Sequence, residues 1–296
     1  MKIAFVILNY KNVNDTISCI ESIKSLSIKE YMIVVVDNGS KDNSVEKLND
    51  TYKEDERIHI IVSEENLGFS KGNNIGYKYI RENYEADFVV VTNNDVLFPQ
   101  KNFEQRLNNL YQKTRFMVFG PDIYVRETKE HQSPMMLSLP TKEEVQRELE
   151  MYEYYLDHPN KWAKRRKLQI TKNRLCQKNK LFAKIYGKVK KKNTIDVSKS
   201  YENCCVQGAC IVISREYLEK EEKMFSPEPF LYCEEIFLYA KCLKKGYKIV
   251  YDPIIQIWHE DSSTIKKISG DALAKAKFTL PNHVKARKML IEYLDV

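Results

Sequence analysis

The chain has 296 residues, of which 43% are hydrophobic, and its formal net charge at pH 7 is +7, which suits one large domain or two small ones with a substantial core. Its apolar runs fall well short of the ~18–20 residues of a membrane-spanning helix, and its first ten residues show no signal-peptide cleavage site. The seven irregularly spaced cysteines form no C-x-x-C metal site and favour reduced thiols, so we expect a cytoplasmic protein, at most peripheral on the inner face of the plasma membrane.

Strand-like runs and helical patterns alternate through the first 125 residues. Apolar, β-branched runs predict four strands, at residues 2–8 and in the stretches "YMIVVV", "IHIIV" and "DFVVV". After the first run, apolar residues recur every three positions, as on one face of a helix, at Ile17, Ile20, Ile23 and Leu26. This alternation predicts an α/β fold with a central, mainly parallel sheet flanked by helices, in which ligands bind at the carboxyl ends of the strands.

Each of the four strands ends in a polar cluster, the first at Asn9, and the four clusters are expected to converge on one edge of the sheet. Asp37 begins "DNGS", where a carboxylate can accept hydrogen bonds from a base or ribose, although the same letters suit an ordinary turn. The third strand precedes "ENLGFSKGNNIG", whose glycines and asparagines indicate a backbone shaped around a ligand but match no dinucleotide or phosphate-loop motif. The fourth ends in "NND", where Asp95 suits a hard cation bound with phosphates; an Asn-rich turn is the alternative.

A basic segment interrupts the second half of the chain. It follows a predicted helix that a Thr141-x-x-Glu144 capping box opens and Pro159 closes. Between Asn160 and Ile195 there are 14 Lys and Arg residues and no Asp or Glu. The rest of the chain, with 34 basic and 41 acidic residues, therefore has a net charge of −7.

Apolar residues recur at seven-residue intervals within this segment, at Leu175, Phe182 and Val189. They predict an apolar stripe on a cationic helix over residues 161–192, which suits an anionic membrane surface. A solvated insertion packed on an acidic part of the same chain is the alternative. No RNA-binding signature accompanies the segment, so we expect no nucleic-acid partner.

The remaining chain predicts strands and helices in turn. "ENCCVQGACIVISREYL" predicts a strand running into a helix, "YKIVYDP" and "IIQIW" predict later strands, and the last thirty residues predict helices interrupted at Pro281, with Asn282 as a cap. "CEEIFLYAKCLKKG" predicts a helix that begins at Glu234 and Glu235. A helix N-terminus favours an ionised carboxylate, which would keep one of these residues usable as a base.

The order of these motifs is more specific than any one of them. DNGS, N-x-G-F-x-x-G-N-N-x-G, NND, QGA, L-Y-x-E-E and a late His follow one another along the chain. This series resembles the inverting family 2 glycosyltransferases of GT-A fold, in particular the rhamnosyltransferase-like members that build bacterial surface polysaccharides. The likeness covers residues 2–125 and 201–264. We accordingly expect a catalytic domain over residues 1–265, divided into a nucleotide-binding half (1–125), a helical and basic insertion (126–200) and an acceptor half (201–265), with a helical tail at 266–296.

The resemblance implies a role for each matching residue. The nucleotide-sugar donor would contact Asn9, Asp37, Asn38, Ser40, Asn66, Gly68, Gly72, Asn73, Asn93, Asn94, Gly208 and Ala209. Among them, Asn9 and Asp37 would contact the base, a loop over residues 66–74 would shape the nucleotide pocket, and Gly208 would leave room for the sugar. Asp95 and His259 would bind a Mn²⁺ or Mg²⁺ ion that bridges the diphosphate.

The resemblance also implies the reaction. Glu235 would be the catalytic base, although the family usually has the shorter Asp there, and Glu234 would support the turn. The enzyme would transfer a sugar with inversion from a UDP- or dTDP-sugar to a glycan or lipid-linked saccharide in cell-surface polysaccharide synthesis. A sugar nucleotidylyltransferase is one alternative, but "NYKNVNDT" is not the Gly-rich basic loop it needs. A non-catalytic nucleotide-sugar or membrane-binding module is the other.

Overall fold

The computed structural model describes residues 1–178, 195–260 and 272–295. The chain divides into two compact units: the first comprises Met1–Leu139 and Val197–Thr264, and the second comprises Pro140–Asp196 and Ile265–Val296. The second unit therefore joins most of the predicted insertion to the predicted tail.

The described elements follow the predicted alternation closely. The strands are β1 (Lys2–Asn9), β2 (Glu30–Asp37), β3 (Ile58–Val62), β4 (Phe88–Asn93), β5 (Val96–Leu97), β6 (Val118–Val125), β7 (Glu130–His131), β8 (Tyr201–Glu202), β9 (Cys210–Ser214) and β10 (Ile249–His259). The helices are α1 (Val13–Lys24), α2 (Ser44–Tyr52), α3 (Gly68–Asn83), α4 (Phe103–Thr114), α5 (Lys142–Asp157), α6 (Pro159–Lys178), α7 (Arg215–Lys220), α8 (Glu234–Lys245) and α9 (Ala272–Leu294).

The first unit is built on one sheet with the strand order β3-β2-β1-β4-β9-β6-β10-β5. Strands β3, β2, β1 and β4 are parallel, which confirms the predicted arrangement of the first half. Strand β9 runs antiparallel to both of its neighbours, so the sheet is mixed beyond β4. The register pairs Asn9 with Asp37, which brings the polar ends of β1 and β2 side by side.

Alternate side chains of β1 enter separate hydrophobic clusters on the two faces of the sheet. Ile3 and Phe5 pack in the cluster that includes residues of α1 and α4, whereas Ala4 and Val6 pack with residues of α3 and α8. This alternation follows from the two-residue period of a strand, and it leaves both faces of the sheet covered. The core therefore fixes the strand ends, where the polar clusters lie.

The predicted loop over residues 66–74 is wrong from Gly68 onward, because α3 begins there. Gly72 lies against the sheet: a Cβ atom at this position would meet Leu8 Cδ1 at 2.6 Å. Asn73 is also buried, and its Nδ2 donates to the carbonyl of Phe69, one turn earlier, at 3.0 Å. Close packing on strand side chains outweighs the low helix propensity of Gly and Asn.

The connection between α7 and α8, residues 221–233, is fastened to both α3 and α8. Asn74 on α3 accepts from the N–H of Phe225 (3.1 Å) and donates to its carbonyl (2.8 Å). Phe69, in the first turn of α3, donates its N–H to the carbonyl of Phe230 at 2.8 Å. From α8, the buried Lys241 ammonium donates to the carbonyl of Met224 at 3.0 Å. The connection is thus an ordered bridge between two helices.

The second unit consists of helices in its described part. The predicted capping box is confirmed: Thr141 Oγ1 accepts from the Glu144 N–H at 3.2 Å, and the Glu144 carboxylate accepts from the Thr141 N–H at 2.9 Å. The predicted break at Pro281 is wrong, because α9 continues through it. Leu280 and Val284 are buried on either side of the proline, so packing compensates for the hydrogen bond that proline cannot make.

The predicted basic helix falls partly within α6. Leu175 lies on this helix and is exposed, as are Leu168 and Ile170, whereas Phe182 and Val189 lie outside the described residues. No helix in the described ranges has a stretch long and apolar enough to cross a membrane.

Candidate active site

A buried hydrogen-bond network joins the ends of β1 and β2. Asp37 Oδ2 accepts from Asn9 Nδ2 and from Ser40 Oγ, each at 2.6 Å, and Asp37 Oδ1 accepts from the Ser40 N–H at 2.9 Å. All three residues are almost fully buried. The structure therefore brings together these three predicted residues and gives the Asp37 carboxylate a fixed orientation.

Thr16 on α1 extends this network toward the end of β4, a connection that sequence reasoning missed. Its hydroxyl donates to Asn9 Oδ1 at 2.7 Å and accepts from Asn94 Nδ2 at 3.0 Å. Asn94 Nδ2 also donates to the carbonyl of Asn12 at 3.1 Å. Thr16 lies on the buried face of α1. A polar residue within an otherwise apolar helical face is the one signal that could have indicated it.

Side-chain amides shape the segment that leads into α3. Asn38 Oδ1 accepts from the Leu67 N–H at 3.0 Å, and Asn38 Nδ2 donates to Asn66 Oδ1 and to the Gly68 carbonyl, each at 3.1 Å. Asn66 Oδ1 also accepts from the Gly68 N–H at 2.9 Å. Of the predicted nucleotide-binding residues, Asn38, Asn66 and Gly68 are therefore joined, while Gly72 and Asn73 lie inside the helix.

Asp95 and His259 meet where β5 pairs with β10. The antiparallel register places His259 opposite Val96, and His259 Nε2 lies 3.2 Å from Asp95 Oδ1. On the other side of the ring, His259 Nδ1 lies 2.7 Å from Gln132 Oε1. An amide oxygen can only accept, so Nδ1 carries a proton and Nε2 faces the carboxylate. Gln132, which the sequence did not indicate, thus orients His259.

These two buried side chains fit a divalent cation. The Nε2 nitrogen of His259 and the Asp95 carboxylate oxygen lie 3.2 Å apart, and both can donate lone pairs to a cation. Carboxylate and imidazole are ligands of Mn²⁺, and carboxylates are also ligands of Mg²⁺. No group of three or more His, Cys, Asp or Glu side chains that could hold a metal occurs among the described residues. Waters or oxygens of a bound ligand would complete the coordination of a cation held here.

The turn before β9 links the end of β4 to the first turn of α8. The Ala209 carbonyl accepts from the Asn93 N–H at 2.9 Å, and the Gly208 N–H donates to Glu235 Oε1 at 3.1 Å. A Cβ atom at Gly208 would lie 2.7 Å from Glu235 Oε1, so the glycine leaves room for this carboxylate. Residues 93, 208, 209 and 235, all predicted from the sequence, are thus brought together by direct contacts.

Burial changes the expected electrostatics of the two glutamates. Glu234 is 8% exposed and Glu235 is partly buried. Burial raises the pKa of Glu235, against the opposing effect of the backbone N–H groups of Glu235 and Gly208. The backbone N–H groups of the first turn favour the ionised form, as the sequence predicts, but desolvation opposes them and is the larger effect on the pKa of Glu235. A raised pKa brings a carboxylate closer to the operating pH, where a general base is most effective.

Replacing Gly208 with Ala should reduce turnover with little loss of stability. The added methyl group would overlap the end of the flexible Glu235 side chain, which can move away without a change in the backbone. A displacement of about 1 Å can cost roughly 10²-fold in rate. Turnover and the melting temperature, measured together, check this. Equal turnover of Gly208→Ala and wild type would show that Glu235 need not occupy this position.

Comparison with known proteins identifies the class. Residues 5–221 match the family model described as Glycosyl transferase family 2, and the chain belongs to this family. The match contains the strand-end residues at Asp37, Asn94 and Asp95 and the turn at Gly208, and it ends before α8. Membership confirms the resemblance to the family 2 glycosyltransferases.

Individual relatives share only part of their length with this chain. The "Low-salt glycan biosynthesis hexosyltransferase Agl10" of Haloferax volcanii is 30% identical over 125 residues, which cover 42% of this chain and 38% of that protein. The "Bifunctional glycosyltransferase pgtA" of Dictyostelium discoideum is 38% identical over 68 residues, 23% of this chain and 9% of that protein. The chain thus spans less than half the length of either relative.

A solved structure supports the fold. The crystal structure of S. aureus TarS 1-349 aligns with a TM-score of 0.50 and 12% sequence identity over 86% of this chain and 60% of the other. At this identity the likeness concerns the fold alone. Together with the family match, it confirms the expected GT-A-like architecture.

Proposed function

We propose that this protein transfers a sugar, with inversion, from a nucleotide diphosphate sugar to a hydroxyl group of a glycan or lipid-linked saccharide. The observation that carries the proposal is the contact of Glu235 with Gly208, whose neighbour Ala209 bonds the end of β4 beside Asp95. Hydrogen bonds through residues 208 and 209 therefore connect the Glu235 carboxylate, which is suited to act as a base, to the end of β4 next to Asp95. The class of reaction rests on membership of the family.

The nucleoside of the donor would bind at the Asp37 network. An ionised carboxylate offers about four acceptor positions, and Asp37 uses three of them for Asn9 and Ser40. The remaining position can accept the N3–H of uracil or thymine, and this would favour UDP- or dTDP-sugars. The fixed orientation of the carboxylate reduces the entropy lost when the base binds.

The diphosphate would bind beside Asp95 and His259. These residues would hold Mn²⁺ or Mg²⁺, which, when bound, stabilises the negative charge that develops on the leaving diphosphate. Gln132 would keep the His259 ring oriented for this task. The protein's own contribution at this end is therefore a carboxylate and an imidazole held in place before the donor arrives.

The chemistry at the acceptor end would be carried by Glu235. Its carboxylate takes the proton of the acceptor hydroxyl as the oxygen forms a bond to C1 of the sugar. At the same time, the bond from C1 to the diphosphate oxygen breaks, and the nucleoside diphosphate leaves with the bonding electrons. Attack from the face opposite the leaving group inverts the configuration at C1. General-base assistance of this kind contributes typically ~10²–10⁴-fold.

A thermal-shift screen tests the donor and the metal together. UDP or dTDP, or one of their sugars, should raise the melting temperature, and Mn²⁺ or Mg²⁺ should increase the shift; a ligand at 100 times its Kd stabilises by about 2.7 kcal/mol. Asp95→Ala should lose the metal-dependent part of the shift and keep the nucleotide-dependent part. Absence of a shift with every nucleotide, with and without metal, would contradict the proposal.

We also propose that the enzyme works in the cytoplasm on the inner face of the plasma membrane, where α6 would contact anionic lipid. Exposed Leu168, Ile170 and Leu175 occur on this helix among Lys and Arg residues. Each basic residue near an anionic surface contributes about 1 kcal/mol. Flotation with vesicles tests this: binding to anionic but not to neutral vesicles is expected, and equal absence from both would reject it.

A further inference from the structure

The two adjacent glutamates at the start of α8 have unequal surroundings. Glu235 Oε1 accepts the N–H of Gly208 at 3.1 Å. Glu234 Oε2 is fully buried, and within the described ranges no donor or acceptor lies at hydrogen-bond distance from it. Glu234 as a whole is 8% exposed. One carboxyl group is therefore provided with a donor, and its neighbour carries a buried oxygen without one.

An ionised carboxylate is unfavourable in the position of Glu234. A buried charge without a partner loses its hydration and gains nothing in return, and a second negative charge on the next residue adds repulsion. A proton removes both costs. In agreement with this geometry, burial and then the charge of Glu235 raise the pKa of Glu234 well above its usual range, and the backbone N–H of Glu234 opposes them only in part.

Among the residues that the structure describes, no cation contributes to the pKa shift of Glu234 or of Glu235. Cys205 interacts with Glu235, and burial raises the pKa of this thiol, so it is neutral. Cys233, which precedes the pair, is buried and is not part of a disulfide. Lys241, further along α8, lies 3.5 Å from the Glu221 carboxylate and donates to the carbonyl of Met224 at 3.0 Å. These contacts leave the Gly208 N–H as the donor that distinguishes the two glutamates.

We propose that Glu234 is an uncharged carboxylic acid in the folded protein, and that the pair carries a single negative charge, on Glu235. Glu234 is then a positioning residue: its neutral side chain fills the interior behind the first turn of α8, and it keeps a second negative charge away from the carboxylate that takes the acceptor proton. The neutral state of Glu234 is inferred without reference to the reaction, whereas the positioning role of Glu234 beside a catalytic base rests on the proposed function.

The dependence of stability on pH tests the charge assignment without donor or acceptor. A carboxyl group whose pKa is higher in the folded state than in the unfolded state costs stability as the pH rises from the unfolded to the folded pKa. Glu234→Gln, which imitates the neutral acid, removes this cost. Its melting temperature should therefore rise relative to that of wild type between pH 4.5 and 8, by about 2–4 °C for each unit of the pKa difference.

Glu219→Gln is the matched control, because Glu219 is exposed on the short helix α7. Its melting temperature relative to wild type should not change with pH. A difference between Glu234→Gln and wild type that is constant, or that falls with rising pH, would overturn the proposal. If Glu234→Gln does not fold, ¹³C spectra of glutamate-labelled wild type decide: one side-chain carboxyl should retain the protonated shift at pH 7, and its absence would overturn the proposal.

The outcome is separable from that of the proposed function. Turnover by Glu235→Gln equal to wild type, together with the expected pH profile of Glu234→Gln, would reject the base and keep the charge assignment. A loss of turnover in Glu235→Gln, together with a pH-independent difference between Glu234→Gln and wild type, would support Glu235 as the base and reject the neutral state of Glu234.

Discussion

Replacing Glu235 with Gln is expected to reduce sugar transfer by roughly 10²–10⁴-fold. An amide has nearly the size of the carboxylate and can still accept the Gly208 N–H through its oxygen, so the first turn of α8 should keep its structure. The amide does not take up a proton at neutral pH, however, and the acceptor hydroxyl would then attack unassisted. Release of nucleoside diphosphate from the donor identified by the thermal-shift screen measures the loss.

Two further measurements make this result specific. The thermal shift produced by UDP or dTDP should be the same for Glu235→Gln and wild type, because the Asp37 network lies at the ends of β1 and β2, whereas Glu235 lies on α8. Glu219→Gln, an exposed change of the same chemistry, should leave turnover unaltered. If Glu235→Gln retained full turnover, another group would be the base; if it lost nucleotide binding as well, the loss of turnover would say nothing about proton transfer.

Gly68→Ala is expected to cause a large loss of stability, because the replacement carries two separate costs. Gly68 has a φ of +79°, and a Cβ atom there would lie 2.2 Å from the backbone oxygen of Phe230. The left-handed backbone costs an alanine roughly 1–2 kcal/mol. The overlap adds about 1–3 kcal/mol, because the opposing atom belongs to a backbone segment and cannot rotate away.

Gly246 separates these two costs. It ends α8 with a φ of +67°, and a Cβ atom there would meet nothing within 4 Å. Gly246→Ala therefore carries the backbone cost alone, roughly 1–2 kcal/mol. Denaturant unfolding of both variants measures the difference. Equal losses would mean that the Phe230 carbonyl moves freely and that the contact between α3 and the α7–α8 connection is not tight.

Much of the site could be predicted because its residues follow strands. Parallel neighbours end at the same edge of a sheet, so polar residues directly after apolar runs must lie close together, as Asn9 and Asp37 do. The start of α8 was also evident, since Glu234 and Glu235 precede a helical apolar pattern that ends at Gly246. Both features can be recognised from a short stretch of sequence, by the periodicity of its apolar residues and by the polar residues that follow a strand.

Other features depend on contacts that leave no local signal. The helix through Gly72 and Asn73 exists because α3 packs on β1, against the preferences of both residues. Gln132 orients His259 from 127 positions away in the chain. The raised pKa values of Glu234 and Glu235 depend on burial, which the helix start alone did not indicate. Each of these features is set by contacts between residues that are distant in the sequence.

The bridge formed by the α7–α8 connection limits how this protein can vary. Surface loops usually accept insertions and deletions, because their ends are fixed and their middles are solvated. Here the middle is fixed as well: Phe225 is held by Asn74 and Phe230 by Phe69, both on α3. Four residues separate these two attachments, and one residue more or fewer would break one of them. Natural or engineered changes of length should therefore be confined to positions outside 225–230, and the start of α8 should keep its distance from α3 when other loops of the enzyme are exchanged.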